Sequence, residues 1–321
     1  MSKILITGIR GFVGQAVCAR LRQDNLHMLA GTTRAPNSEA GPERVPLYHI
    51  PKIGPETDWA QAVSGAEIVI HLAARVHIMK DRSPNPFAAF CRVNSEGTKT
   101  LAIQAAAAGV KRFVYISTVK VAGERSPGRG FTENDIAKPE DNYSISKWKA
   151  EQNLADIAKT TKMEIVVLRP PLIYGPGVKG NFNNLLKAVE SGTILPLGSI
   201  RNKRSLLFVG NLADAISVVV NHPNAGNQTF FVSDDDDTST PELIKSISVA
   251  LGRKTRLLNF PLSLLKTAGF LIGKSNTIRR LSGSLTVDIN HIKTHVGWQP
   301  PFSMEDGLKD TAKWFVKNLS D

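Results

Sequence analysis

The stretch TGIRGFVG, residues 7–14, decides how this chain is read. Gly8, Gly11 and Gly14 stand three residues apart, behind the apolar run KILIT and ahead of a segment, 12–23, with apolar positions at helical spacing. Strand, glycine turn and helix together are the context of a dinucleotide cradle. Gly8 permits the tight turn, Gly11 lets backbone approach a pyrophosphate, and Gly14 allows close helix–strand packing. Arg10, Phe12 and Val13 complete the candidate turn. Phosphates would then sit at the positive end of the helix. Glycine turns are common, so the motif takes its weight from its surroundings.

Those surroundings alternate. Strands are predicted at 27–34 (HMLAGTTR), 66–74 (AEIVIHLAA), 112–118 (RFVYIST) and 164–170 (EIVVLRP), with long helices over 88–109 and about 143–160. The stretch 35–56 reads as loop with a short strand near 47–50. Nearly all-apolar strands are those covered on both faces. Strand–helix alternation gives an α/β fold with a doubly wound parallel sheet. After residue 175 the alternation breaks down, leaving a strand at 227–234, a helix from about 240 and a terminal helix. The expected division is a dinucleotide-binding domain over 1–175 and a smaller C-terminal, substrate-binding lobe over 176–321. The tetrad DDDD at 234–237 reads as loop and helix-entry charge.

Composition narrows the function classes. A chain of 321 residues, 42% hydrophobic, can bury a large core. Two cysteines, Cys18 and Cys91, make no disulfide framework, and a reducing, cytoplasmic location is expected. The start, MSKILITG, lacks the pattern of a signal peptide. No apolar run reaches spanning length, so no stable membrane insertion is expected. FPLSLLKTAGFLIG, 260–273, is interrupted by Pro261, Lys266 and Gly269. It reads as a buried or partner-facing helix, with a membrane-surface contact as the weaker alternative. The formal charge of +12 is dispersed, and aromatics are only 7%, which disfavours a nucleic-acid interface. A solvated basic surface and a pocket for phosphates both stay open.

Two further stretches carry chemistry. The acidic residue that would hold a ribose hydroxyl about 20 residues after the glycines is absent. The strand ends GTTR instead, with Thr33 and then Arg34. An arginine there can pair with a 2′-phosphate, so NADP(H) is favoured and NAD(H) is the alternative, with Arg10 a second cation. The bland reading is that Arg34 stacks on adenine or faces solvent. In YSISK, Tyr143 and Lys147 are four apart and share a helix face. A free tyrosine, pKa near 10, is a poor acid at neutral pH, and a nearby ammonium lowers that value. The pair is a plausible acid–base unit beside a hydride donor. His71, His77 and Cys91 have no metal-ligand company and read as core or surface.

TGIRGFVG, VIHLAA, VNSEGT, RFVYIST, YSISK, RPPLIYGPG and RSLLFVGNLADA stand in the order seen in extended short-chain dehydrogenases/reductases, which the chain resembles to its GWQP…EDGL ending. The resemblance implies a Rossmann-like sheet, an NAD(P) cofactor and a sugar-nucleotide epimerase, dehydratase or ketoreductase. It places the catalytic set on Thr118, Tyr143 and Lys147. Thr118 would bind the sugar O4, Tyr143 would exchange its proton, and Lys147 would hold the nicotinamide ribose. Ile53, Leu72, Ala73, Ala74 and Pro170 fall on cofactor positions by the same resemblance. Lys120, Asn181, Arg204 and Arg280 fall on substrate positions. For Arg204 the competing reading is a surface ion pair with Asp214.

Two departures separate reactions. The dehydratases of the family follow the Thr with an acid and a base, and here the pair is Val119-Lys120. The usual Tyr before the closing glycine is Ala122, which widens the sugar pocket, and Lys52 replaces the adenine-binding Asp. YISTVKVAGE and RRLSGSLTVD resemble the reductase branch of bacterial surface-polysaccharide enzymes. The reaction expected is hydride transfer at C4 of a UDP-sugar, as reduction of a UDP-4-keto-6-deoxy-hexosamine. A UDP-hexose or UDP-N-acetylhexosamine 4-epimerase is the alternative, and a non-catalytic NADP-binding regulator the third. The resemblance also implies a homodimer through the helices of 88–109 and 143–160.

Overall fold

A computed structural model describes residues 1–35, 41–76, 83–271, 273 and 275–319. The chain begins with β1 (Ser2–Thr7), α1 (Phe12–Asp24), β2 (His27–Thr33), β3 (Leu47–His49), α2 (Ala60–Val63) and β4 (Ile68–His71). It continues through α3 (Pro86–Cys91), α4 (Gly97–Ala107), β5 (Arg112–Ile116), α5 (Asn142–Thr160) and β6 (Glu164–Arg169). Then come β7 (Leu172–Tyr174), α6 (Gly180–Glu190), β8 (Leu206–Phe208), α7 (Val209–Asn221) and β9 (Gln228–Phe231). The chain closes with α8 (Thr240–Ala250), α9 (Leu262–Leu271), α10 (Ser275–Ser282), α11 (Asn290–Val296) and α12 (Met304–Lys317).

Seven strands form one sheet in the order β3-β2-β1-β4-β5-β6-β9, and every pairing in it is parallel. The apolar strands divide their side chains by the two-residue period. Ile4, Ile6, Ile68, Ile70, Val114, Val166 and Leu168 enter the layer with α1 and α7. Leu5, Val69, Phe113, Tyr115, Ile165 and Val167 enter the layer with α4 and α5. The strand order reverses between β1 and β4, which opens a crevice at the carboxyl ends of these strands, where doubly wound folds bind ligands. A second, two-stranded parallel sheet pairs β7, from before residue 175, with β8, from after it. A further core gathers Tyr174, Phe182, Leu186 and Phe208, against which Phe12 and Val13 pack. The chain also returns to the main sheet past residue 175, adding β9 beside β6.

The helix expected over 88–109 is instead α3, a π-helical turn over Arg92–Glu96, and α4. The wider turn carries Asn94, whose side chain is saturated. Its Oδ1 accepts from Arg75 N at 2.7 Å, and its amide donates to Arg75 O and to Ser146 Oγ at 3.0 Å each. Nothing in a period-3.6 reading signals the extra residue. His77 lies outside the described residues. No helix among the described residues is long and apolar enough to cross a membrane.

Candidate active site

The glycine turn leaves β1 at Thr7 and is closed by Gly11 N donating to Gly8 O at 2.8 Å. Gly8 has φ +71°, a left-handed conformation, and a Cβ on it would lie 2.9 Å from Ala73 N. A Cβ on Gly14 would collide with Gly8 O and lie 2.6 Å from Ile9 O. Gly11 caps α1 with no side-chain hydrogen bond, so the helix N-terminus is open toward the crevice. A cradle that any Cβ would fill, under an uncapped helix end, fits a dinucleotide pyrophosphate. The wall opposite is the chain after β4. Leu72 N donates to Thr7 O at 3.3 Å, Ala73 N donates to Thr7 Oγ1 at 3.2 Å, and half-buried Ala74 follows.

Arg34 is exposed directly after buried Thr33, whose hydroxyl accepts from Ala35 N at 3.2 Å. Parallel register places it at the same sheet edge as the turn, where Arg10 is also exposed. Ile53 packs over Gly97 at the start of α4, with its Cγ2 2.5 Å from where a Cβ would sit.

The catalytic candidates are gathered by two elements. Asp141 caps α5 with Ser144 in a reciprocal capping box, which fixes Tyr143 and Lys147 on the first two turns. Thr118 follows β5 and caps the short 3₁₀ turn Val119–Val121. That turn is pinned by Val119 N donating to the carbonyl of buried Pro170 at 2.8 Å. It is tied to α5 by Lys120 Nζ, which donates to Asp141 Oδ2 at 2.7 Å and to Glu124 Oε1 at 2.9 Å. Lys120 thus clamps the loop of Thr118 to the cap of the Tyr143 helix, with both bonds to protein carboxylates. Phe90 of α3 stands edge-on to Tyr143, with ring centroids 6.3 Å apart.

Lys147 is buried, and its Nζ lies 4.0 Å from the Tyr115 ring centroid. Burial lowers its pKa to about 7, opposed by Glu151 one turn on. The expectation that Lys147 lowers the Tyr143 pKa is not met in this geometry. Burial and then Asp141 raise the phenol well above its usual value, and Lys147 is aimed at Tyr115. His71 is buried between Thr7 Oγ1 (2.7 Å to Nδ1) and Thr98 Oγ1 (3.0 Å to Nε2). Burial, then Lys147, push it down to about 3, so it is a neutral strut at physiological pH. Cys91 is a buried free thiol, raised by burial.

Sequence reading missed the polar layer beneath these residues. Glu151 and Arg169 form a buried ion pair at 2.6 Å, and Ser117 donates to the same carboxylate. Glu151 is four residues past Lys147 on one helix face, a spacing that could have revealed it. Asp234, read as loop charge, is buried and accepts from Phe208 N and Asn211 at 2.7 Å and from Tyr174 at 2.9 Å. Burial raises it to about 6.

Of the residues expected to meet substrate, Arg204 is not paired with Asp214, which accepts from Arg20 and Trp298 instead. Its Nη1 donates to the carbonyls of Arg280 at 2.5 Å and Gly283 at 3.2 Å. Both acceptors are neutral, no carboxylate among the described residues pairs with this cation, and burial lowers its pKa. The side chains of Arg280, on α10, and Asn181, near the start of α6, are exposed. No hydrogen bond among the described residues joins Asn181 to either arginine. No cluster of three metal-binding side chains occurs among the described residues.

Residues 4–232 match the model of the NAD dependent epimerase/dehydratase family. The chain belongs to that family. It is 41% identical over 317 residues to a UDP-glucose 4-epimerase of Vibrio cholerae, covering 98% of this chain and 95% of the relative. It is 27% identical to an N-acetyl-α-D-glucosaminyl-diphospho-ditrans,octacis-undecaprenol 4-epimerase of Escherichia coli O157:H7, covering 81% of each. Its fold matches the Thermotoga maritima UDP-glucose 4-epimerase with UDP-glucose, at TM-score 0.78, 21% identity and 99% coverage of both chains. A Bacillus cereus UDP-glucuronic acid 4-epimerase in complex with NAD also matches, at TM-score 0.78, 19% identity and coverage of 98% and 96%.

The burial of Lys147 has a stability consequence. Between pH 7 and the ordinary lysine pKa, the unfolded chain binds a proton at residue 147 that the folded chain does not, so stability rises with pH across that window. Below it both states are protonated and the full cost of burying the ammonium is present. Lys147→Met is therefore expected to raise the thermal midpoint at pH 7 by a few degrees, on the order of 1–2 kcal/mol, and to flatten the rise in stability between pH 7 and 9. Scanning calorimetry across that range checks both. A lower midpoint for the variant would mean that the Tyr115 and Glu151 contacts outweigh desolvation.

Proposed function

We propose that the protein transfers hydride at C4 of a UDP-sugar, and that its net reaction is reduction of a UDP-4-keto-6-deoxy-hexosamine. The observation that supports net reduction is Arg34, exposed directly after buried Thr33 at the end of β2, where it suits the 2′-phosphate of an exchangeable reduced cofactor. Reduction consumes a proton at O4, and a neutral phenol is the form that supplies it. When bound, the nicotinamide supplies the hydride. Thr118 orients the C4 oxygen by hydrogen bond, and Tyr143 gives its phenolic proton to that oxygen as the C–H bond forms. Lys147 meets the nicotinamide ribose, and the resulting tyrosinate is reprotonated from solvent. Arg204, whose guanidinium is held by the neutral carbonyls of Arg280 and Gly283, would meet the substrate diphosphate, with Asn181 and Arg280 as further contacts. Val119-Lys120 offers no acid–base pair for water elimination, and Lys120 is engaged with Glu124 and Asp141.

We assign the reduced cofactor as NADPH, on Arg34 after Thr33 where an acid would select NAD. Arg34→Ala should weaken NADPH by about 10- to 100-fold, the range for loss of a charge-assisted contact, and leave NADH within about 3-fold. Fluorescence titration with both cofactors checks this, and equal losses remove the 2′-phosphate contact. The reaction is tested by NADPH absorbance with UDP-4-keto-6-deoxy-N-acetylglucosamine. Enzyme-dependent decay supports net reduction.

A second reading, UDP-hexose 4-epimerisation with retained NAD, is favoured by the Vibrio cholerae relative. Absence of decay together with interconversion of UDP-glucose and UDP-galactose would establish it. We also propose a cytoplasmic homodimer through α4 and α5, where Ile103 and Ala107 lie exposed one turn apart. Light scattering of Ile103→Glu against the wild type tests the assembly.

A further inference from the structure

Helices α9 and α10 lie beyond the family-matched residues 4–232, and the outer face of α9 has no part in the reaction above. Leu262 and Leu265 turn partly inward onto the core around Tyr174 and Phe208. Gly269 lets the two helices close on each other, because a Cβ there would overlap Ile278. The other side of α9 is open, with three large apolar side chains among Ser263, Lys266 and Thr267. Leu264 and Leu271, seven residues apart, share one face and are 54% and 77% exposed, and neighbouring Phe270 is 76% exposed. Lys266 is exposed on the same helix, and Arg279 and Arg280 on the next. Between Glu242 and Asp288 the sequence has eight basic residues and no acidic one; Arg253 and Arg279 are met by Glu190 and Glu124 from elsewhere in the chain. Single exposed leucines are ordinary on soluble surfaces. Three large apolar side chains on one ten-residue helix, set in an acid-free basic stretch, are not.

We propose that this face docks on an anionic lipid surface. Leu264, Phe270 and Leu271 enter the boundary between headgroups and acyl chains, and Lys266 on the same helix meets the lipid phosphates. Apolar burial and attraction to anionic lipid are the two terms that hold such interfacial helices. Charge selects the occupant. A two-fold contact with a second copy would set this basic face against its own image, which is repulsive. No described helix is long enough to cross, so the contact is peripheral. It borders the substrate side, since the Arg280 carbonyl accepts from Arg204.

The test is flotation of the full chain with vesicles of phosphatidylglycerol and phosphatidylethanolamine, and with phosphatidylcholine alone. Binding to the anionic vesicles should be at least ~10-fold stronger and should fall as salt approaches ~1 M, where screening acts within about 3 Å. Phe270→Ser/Leu271→Ser should lower anionic-vesicle binding at least ~10-fold, with turnover of soluble UDP-sugar and thermal midpoint unchanged. Leu264→Gln, on the same face, gives an independent reading if the double variant fails to fold. Equal binding to both vesicles, no binding to either, or variants that float like the wild type overturn the proposal. So does a wild-type dimer that the variants dissociate without any vesicle binding, which would make the face a self-interface. Because turnover is read on soluble substrate, loss of the reaction assigned above leaves this result interpretable.

Discussion

Tyr143→Phe is expected to lower turnover by about 10³-fold, within the range for removal of a positioned general acid, and to leave cofactor binding within about 3-fold. The ring stays, so the edge contact with Phe90 persists, and the α5 cap through Asp141 and Ser144 does not involve the phenol. Loss of one buried hydroxyl should cost about 1 kcal/mol of stability. Stopped-flow reduction with NADPH and a 4-keto-sugar nucleotide measures the chemical step, and fluorescence titration measures the cofactor. Rates near wild type would remove Tyr143 as the proton donor. A parallel collapse of cofactor affinity would assign it to binding rather than to proton transfer.

Arg169→Leu should cost roughly 3–5 kcal/mol, the scale for stranding one member of a buried ion pair. Side chains of Arg169 and Glu151 are only 7% and 5% exposed. Without the guanidinium, the Glu151 carboxylate keeps the Ser117 hydroxyl and has Lys147, four residues earlier, as its nearest cation. The variant should therefore lose activity as well as stability, because Lys147 would be drawn toward Glu151. Adding Glu151→Leu should recover much of the stability, since an apolar pair of similar volume is often neutral. Chemical denaturation of both variants measures the two costs. A double variant no more stable than the single one would mean that the packing of Arg169 against Trp148 and Phe231, rather than charge pairing, dominates.

The main sheet was legible because its strands are apolar on both faces and its glycines are sterically required. Ile4 and Leu5 enter opposite layers of one core, and Gly14 has two carbonyls where a Cβ would go. Tyr143 and Lys147 were legible because helical spacing is a local property. Long-range polar contacts were not. Asp234 reads as one of four acids in a loop, yet it holds Tyr174, Phe208 and Asn211 from three other elements. A four-residue spacing says only that two side chains share a helix face, and Lys147 on that face lies over the Tyr115 ring. The β7–β8 pair joins segments more than thirty residues apart and has no local signature.

The π-helical turn over Arg92–Glu96 acts as a phase shifter between two binding tasks. Each residue of an α-helix turns the chain by about 100°. A regular helix running from α3 into α4 would have to choose between aiming Phe90 at Tyr143 and aiming Leu101, Ala102 and Ala105 at the sheet. One additional residue in the turn satisfies both. Deleting a single residue there would leave the composition nearly unchanged and rotate everything after it by that angle. Insertions and deletions should therefore be tolerated in the loops on either side long before they are tolerated in these five positions.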